Sequence, residues 1–583
     1  MYRSLHSRKI ESQTVSPGRV SGMEISIALE IVAFLSRHAI IECQAQQLSS
    51  PFFPFFRPIS LSRPLLLAAN RAQGEKKKRR KKKMANFPRL SFLSSSRPQH
   101  QYEPVDPSEG SESDELESQR EPKEPLEPPT TKSRAIVLSV VRVLRGTALF
   151  FVPSFLQKGA KKAERRITET SYLNGVRGLA AALVYLQHMS FALWIHIGWD
   201  GRPEDYPIQL PFLRLVYSGR FMVAIFFILS GYVLAYKPLQ LARNGDSNAL
   251  YKNLSSAVFR RTPRLFLPIL PAMAATAAAI YFTCYGDMTF NRGRCLPRES
   301  SLLGQIWGYT NVLGRMLDPA SWSEYYPPGL DHLWTLPMEH RGSMIIFLLV
   351  AGLGNTTPIV RLGFLMFFAM FFLHMGRWDT SLFVSGGVLA ELRVFRKESP
   401  LNLESRCGSE KSRMLLKTVT TIFWVSTFVL ALFIGSWPAY QASNSMGFRY
   451  FSRLTPAAYT YNEAVEEYFW ISIAAFLLLL SFENLEILQR PFTTEIASYM
   501  GDISFGFYIV HWTMLFTVGT VIIGNFRVWL PYGYPNYNVG FFVGGALTTP
   551  LVIMVGDAYW RVFDMGAVKW ARWLNGKCEK KVL

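Results

Sequence analysis

Arg177 and His188 stand eleven residues apart inside YLNGVRGLAAALVYLQHMSFALWIHI, residues 172–197. The surrounding side chains are apolar over a membrane-spanning length. At about 100° per residue, that spacing is three turns plus roughly 20°, so both side chains share one helix face about 16 Å apart along the axis. An ionisable group at such depth is costly unless it faces the protein interior or a water-filled cavity, and the pair therefore reads as a functional site. The competing explanation is a snorkelling arginine and a histidine packed against a neighbour. It covers Arg177 near a helix end and leaves His188 unexplained.

His188 offers acid/base chemistry, and a carboxylate at its depth could hold its tautomer. Counting residues inward from each end of its span places Glu339, in DHLWTLPMEHRGSM, at a similar level. The alternative is a structural His and Glu pair that locks two helices together. At the opposite face, FRRTPRLFLP brings Arg260, Arg261 and Arg264 to a helix start beside Arg177, a set suited to phosphates. A positive-inside flank is the other explanation. Ser230, in FFILSGYVL, and His511, in SFGFYIVHW, are candidates to line the same cavity, although Ser230 next to Gly231 also suits close helix packing. His340, Arg341, His374 and Glu391 are assigned no chemistry. Asp557 and Arg561, four residues apart, are placed to pair with each other. The sequence has no zinc spacing, P-loop, dinucleotide glycine pattern or nucleophile elbow, so metal and nucleotide-hydrolysis chemistry lose support.

The elements that must position these residues are membrane helices. Of 583 residues, 49% are apolar and 14% aromatic, with long apolar runs between residues 172 and 563. The fold expected is an all-α, polytopic integral membrane protein of about ten transmembrane helices. They fall near residues 172–196, 220–236, 263–283, 333–351, 358–375, 378–392, 418–437, 467–483, 500–524 and 539–562. A net charge of +21 could suggest nucleic acid, but the basic residues lie between apolar runs and in one N-terminal block. They read as topology signals and lipid-headgroup contacts, and their bias favours both termini inside. Five cysteines are too few for a disulfide framework; Cys284 and Cys295 could bridge if their loop faces an oxidising compartment.

Residues 1–134 are expected to be a disordered, basic extension, of which 1–83, ending in EKKKRRKKK before Met84, could be an upstream gene-model extension. Residues 135–170 suit an interfacial helix and basic linker, 171–575 the ten-helix domain, and 576–583 a cytosolic tail.

LNGVRGLAAALVYLQH resembles the opening span of the membrane acyltransferase 3 family, whose signature is a basic residue, ten residues, then histidine. FFILSGYVL at 226–234, the RxxR segment Arg261 to Arg264, HLWTLPMEHRGSM at 332–344 and GDISFGFYIVHW at 501–512 resemble the same family in the same order. The Trp-Thr-Leu-Pro-Met-Glu form of the fourth motif is similar to the fungal branch. The likeness covers roughly residues 172–575 and leaves the first 170 unaccounted for. It implies O-acyl transfer, often acetyl, from cytosolic acyl-CoA (acetyl-CoA) to a hydroxyl of a carbohydrate, lipid or secondary metabolite. His188 would be general base, Glu339 its orienting or charge-receiving partner, and Arg177, Arg260, Arg261 and Arg264 the CoA-binding set. A covalent acyl-histidine step stays open. The hydrolase-like luminal domain of some relatives has no counterpart, so a second transfer step would need a separate partner. No bound cofactor or metal and no nucleic-acid partner is expected beyond the donor substrate and membrane lipids. Two other classes remain: a proton-coupled carrier of a small solute using His188 and Glu339, and a catalytically idle scaffold. Nothing distinguishes endoplasmic reticulum from plasma membrane, names the acceptor, or fixes the oligomeric state.

Overall fold

The computed structural model describes residues 150–157, 168–193, 195–203, 205–283, 285, 295–318, 324–398, 410–534 and 537–579. The chain divides into two units, Met1–Lys123 and Glu124–Leu583. The expectations for residues 1–134 lie outside the described residues, as does most of the proposed interfacial helix. The second unit is helical, apart from a two-residue antiparallel hairpin, Gly533–Tyr534 with Tyr537–Asn538.

The helices are α1 (Ser171–Ser190), α2 (Gly219–Arg243), α3 (Ser247–Phe266) running on to α4 (Ile269–Phe282), α5 (Leu302–Leu317) and α6 (Thr335–Leu353). They continue with α7 (Pro358–His374), α8 (Trp378–Glu398), α9 (Glu410–Gly435) and α10 (Glu463–Asn484). The last are α11 (Glu495–Met514) leading to α12 (Thr520–Trp529), and α13 (Val539–Tyr559) leading to α14 (Met565–Cys578). Asp246 and Asn538 cap α3 and α13, accepting from the backbone N–H of Ala249 at 2.9 Å and Phe541 at 3.0 Å.

Each of the ten expected apolar runs falls on a helix, but among the described residues seven helical stretches are both long and apolar enough to cross a membrane. These are Gly219–Arg243, Ser247–Phe282, Asp331–Leu353, Arg413–Gly435, Glu463–Asn484, Glu495–Trp529 and Val539–Cys578. Helix α7 is apolar but shorter, at 17 residues. Helices α1 and α8 carry polar loads: Asn174, Arg177, Gln187 and His188 on one, Asp379, Glu391, Arg393 and Arg396 on the other. Helix α5 was expected to be loop. Its amphipathic run leaves Leu303 and Trp307 exposed, a face suited to an interface.

The polar load of α8 is paired. Glu391 is fully buried and accepts from Arg361 Nη2 at 3.0 Å and Arg243 Nη2 at 2.9 Å, tying α2, α7 and α8 together. Asp379 takes Arg341 Nη2 at 2.6 Å, and Glu483 takes Arg393 Nη1 at 2.7 Å and the Tyr172 hydroxyl at 2.7 Å. Such pairs roughly offset their desolvation, whereas stripping one partner costs about 3–5 kcal/mol. They specify which helices meet. Asp557 and Arg561 pair at 2.5 Å, and the same carboxylate holds Ser154 Oγ at 2.7 Å, docking residues 150–156 against α13. Cys295 is disulfide-bonded, while Cys284 lies outside the described residues.

Several helix crossings bring backbones into contact, two of them at α1 with α11 and α2 with α8. A Cβ at Gly178 on α1 would sit 2.5 Å from the Gly501 backbone nitrogen on α11, and one at Gly501 would sit 2.1 Å from the Asn174 carbonyl oxygen. On α2, a Cβ at Gly231 would meet the Phe383 carbonyl oxygen at 2.1 Å. Only glycine permits these approaches, as at close crossings of membrane helices generally.

Candidate active site

Three histidines converge at the C-terminal end of α1. His188 is in its last turn, His511 is on α11, and His332 is on the 3-10 turn Asp331–Trp334 that opens α6. His188 Nδ1 lies 2.7 Å from His511 Nε2, and the two rings are parallel, 5.0 Å apart between centroids. The His332 ring is 4.8 Å from that of His511 and 6.3 Å from that of His188, stacked on Trp512 at 5.3 Å. All three are buried.

The network assigns the protons. His511 Nδ1 faces the Phe507 carbonyl oxygen at 3.3 Å, which can only accept, so Nδ1 carries the hydrogen. His511 Nε2 is then the acceptor, and His188 Nδ1–H donates to it. That leaves a lone pair on His188 Nε2, which has no hydrogen-bond partner among the described residues. A neutral imidazole fixed in this tautomer is what a general base requires.

A second cluster lies toward the N-terminal end of α1. Arg261, on α3, donates through Nη2 to Glu339 Oε1 at 2.8 Å and through Nε to Ser343 Oγ at 2.8 Å. Ser230 Oγ donates to the same Glu339 oxygen at 3.0 Å. Arg177 lies within electrostatic reach of Arg264, Glu339 and Asp564 but makes no hydrogen bond or ion pair with any described residue. Arg264 is exposed and likewise makes none. Arg260 is turned onto its own helix, Nε to the Ser256 carbonyl at 2.9 Å, with Arg264 and Arg572 as charged neighbours. The result is an excess of positive charge with two guanidinium groups unsatisfied.

The structure therefore brings Arg177, Arg261, Arg264, Glu339 and Ser230 together at one level, and His188 with His511 at another. His188 and Glu339, expected at one depth, do not share a level. The residue level with His188 is His332; Glu339 lies seven positions further along, roughly 10 Å nearer Arg177. The level at which α6 meets α1 is set by their packing register, which counting inward from each apolar run does not capture. His332 went unassigned, although it opens the HLWTLPMEH stretch. Its signal was a histidine one turn ahead of a membrane helix.

A profile described as an acyltransferase domain matches residues 170–557, about two thirds of the chain. The chain belongs to the acyltransferase 3 family. Relatives include O-acetyltransferase PaAT-1 of Phomopsis amygdali, 29% identical over 72% of this chain and 87% of that protein. Acyltransferase clz18 of Cochliobolus lunatus is 23% identical over 68% of this chain and 93% of its own length. Acyltransferase R4 of a Phoma species is 21% identical over 70% and 96% respectively. No solved structure matches. Family membership and the seven apolar helices together support membrane acyltransferase activity in a multi-pass protein.

Proposed function

We propose that the protein moves an acyl group, acetyl in the simplest case, from cytosolic acyl-CoA to a hydroxyl on a carbohydrate, lipid or secondary-metabolite acceptor. The observation that carries this reading is the division of α1. Its N-terminal half presents Arg177 to a cluster with unpaired positive charge, and its C-terminal end presents His188 with a free Nε2 lone pair. The CoA phosphates rest on Arg177, Arg261 and Arg264, and the pantetheine arm covers the roughly 16 Å to His188. His188 Nε2 takes the acceptor hydroxyl proton as that oxygen attacks the thioester carbonyl. The C–S bond breaks, and the departing thiolate takes the proton from the imidazolium. Glu339 holds the Arg261 fork in place.

The reading includes ten helices across the membrane with both termini on the cytosolic side. The disulfide at Cys295, in the loop assigned to the opposite side, supports that orientation. A proton-coupled carrier needs His188 and Glu339 as one relay, whereas the hydrogen bonds of Glu339 run to Arg261 and Ser230.

The test is acetyl-CoA binding and slow hydrolysis by purified protein in detergent. His188→Ala is expected to bind but not turn over, and Arg261→Ala with Arg264→Ala to lose binding. Wild-type protein that neither binds nor hydrolyses acetyl-CoA overturns the reading.

A further inference from the structure

His332 is a buried group that this chemistry leaves unused. The residue is 2% exposed, and neither Nδ1 nor Nε2 makes a well-formed hydrogen bond, although the backbone of Tyr508 and Ile509 runs beside the ring. Such an orphan is costly, and buried polar atoms in native proteins are nearly always satisfied. The position of the ring is not set by its own nitrogens. The Tyr508 hydroxyl, itself 2.7 Å from Thr335 Oγ1, donates to the His332 backbone carbonyl, and Trp512 stacks on the imidazole. Packing alone would be served as well by phenylalanine, with no orphan created. These nitrogens are held beside the imidazoles of His188 and His511. A group that arrives with the substrate accounts for both facts.

We propose that His332 is a second catalytic residue, donating its ring N–H to the thioester carbonyl oxygen as that oxygen gains charge; this rests on the acyl-transfer reading above. The acceptor oxygen bonds to the carbonyl carbon, and the C=O electron pair moves onto oxygen, where the His332 N–H holds it. When the pair returns, the C–S bond breaks and thiolate leaves. His332 keeps its proton throughout, so the only proton moved is the one carried by His188. A neutral donor placed where charge develops, in a water-poor site, stabilises the transition state more than the ground state.

The experiment measures acetyl-CoA hydrolysis, acetyl-CoA affinity and the pH profile of kcat for wild type, His332→Phe, His332→Ala and His332→Asn, each checked for monodispersity. His332→Phe and His332→Ala are expected to lose about 10²- to 10³-fold in kcat. Acetyl-CoA affinity should stay within about threefold of wild type, with the pH limb of His188 unmoved. His332→Asn, whose side-chain amide can reach the place of Nδ1–H, should recover activity to within about tenfold of wild type. If the alanine variant does not fold, the volume-filling phenylalanine and the donor-keeping asparagine decide the matter. Wild-type kcat in His332→Phe, or equal loss in the asparagine and phenylalanine variants, overturns the proposal. Absence of wild-type turnover, or turnover insensitive to His188→Ala, removes the underlying acyl-transfer reading and this residue's role with it.

Discussion

The two ends of α1 handle buried polarity in opposite ways. Near Arg177 the protein keeps formal charges, compensating Arg261 with Glu339 and leaving Arg177 and Arg264, with Asp564 in electrostatic reach, without an ion pair among the described residues. Around His188 it keeps uncharged rings that bond or stack on one another, and no carboxylate hydrogen-bonds any of the three histidines among the described residues. A charged end can wait for an anion, because screening and partial exposure keep unmatched guanidinium groups affordable. A neutral end can wait for a proton, because an imidazole with a free ring lone pair is already a base. Donor binding and proton transfer should therefore respond to different perturbations.

The strongest way to sharpen that contrast is to remove the base. His188→Ala should lower kcat by about 10²- to 10⁴-fold while acetyl-CoA affinity, measured by calorimetry, stays near wild type. An equal fall in affinity would merge the two ends into one site. Arg177→Gln should do the reverse, weakening acetyl-CoA binding by about 10- to 100-fold at unchanged kcat. Raising ionic strength should mimic that change in wild type and have little effect on the variant. A kcat-only effect would place Arg177 in the chemistry instead.

A smaller effect is expected at the crossing of α1 with α11. Gly501→Val forces atoms into the Asn174 backbone and should destabilise the protein by about 1–3 kcal/mol, read as a lower Tm, with turnover falling alongside. The smallest effect concerns His196, which follows the end of α1 at Ser190 and lies outside that helix. Burial, with Arg214 and Arg220 nearby, pushes this imidazole down to about 3. An unfolded chain takes up that proton near pH 6.5, so the contribution to stability is complete above that value and drains away as pH falls toward 3. Tm followed over this range should decline less steeply in His196→Gln than in wild type.

Much of this organisation was legible in the sequence because apolar periodicity and length are strong signals. All ten expected runs are helices, and the eleven-residue spacing put Arg177 and His188 on one buried face. Pairing between distant segments was not legible. Nothing along the chain says that Glu339 belongs to Arg261 or that His511 Nε2 meets His188, because those contacts depend on crossing angles and helix starts. Helix α5, amphipathic and 16 residues long, was hidden because it is not an apolar run of membrane-spanning length, and His332 because a 3-10 turn carries no periodic signature. The polar load of α8 also lowers its apolarity while its buried ion pairs hold it in place.

The contact of Gly178 with Gly501 sets the mechanical tolerance of the catalytic end. His188 and His511 each follow their glycine by ten residues, so two arms of equal length, roughly 15 Å, extend side by side from one rivet. A pivot of about 4° at the rivet would part the arm tips by about 1 Å, enough to break a 2.7 Å bond between rings. With no side chain between the backbones to act as a cushion, the bundle holds this scissor nearly shut. Proton transfer at one tip is thus only as well aligned as a crossing ten residues away.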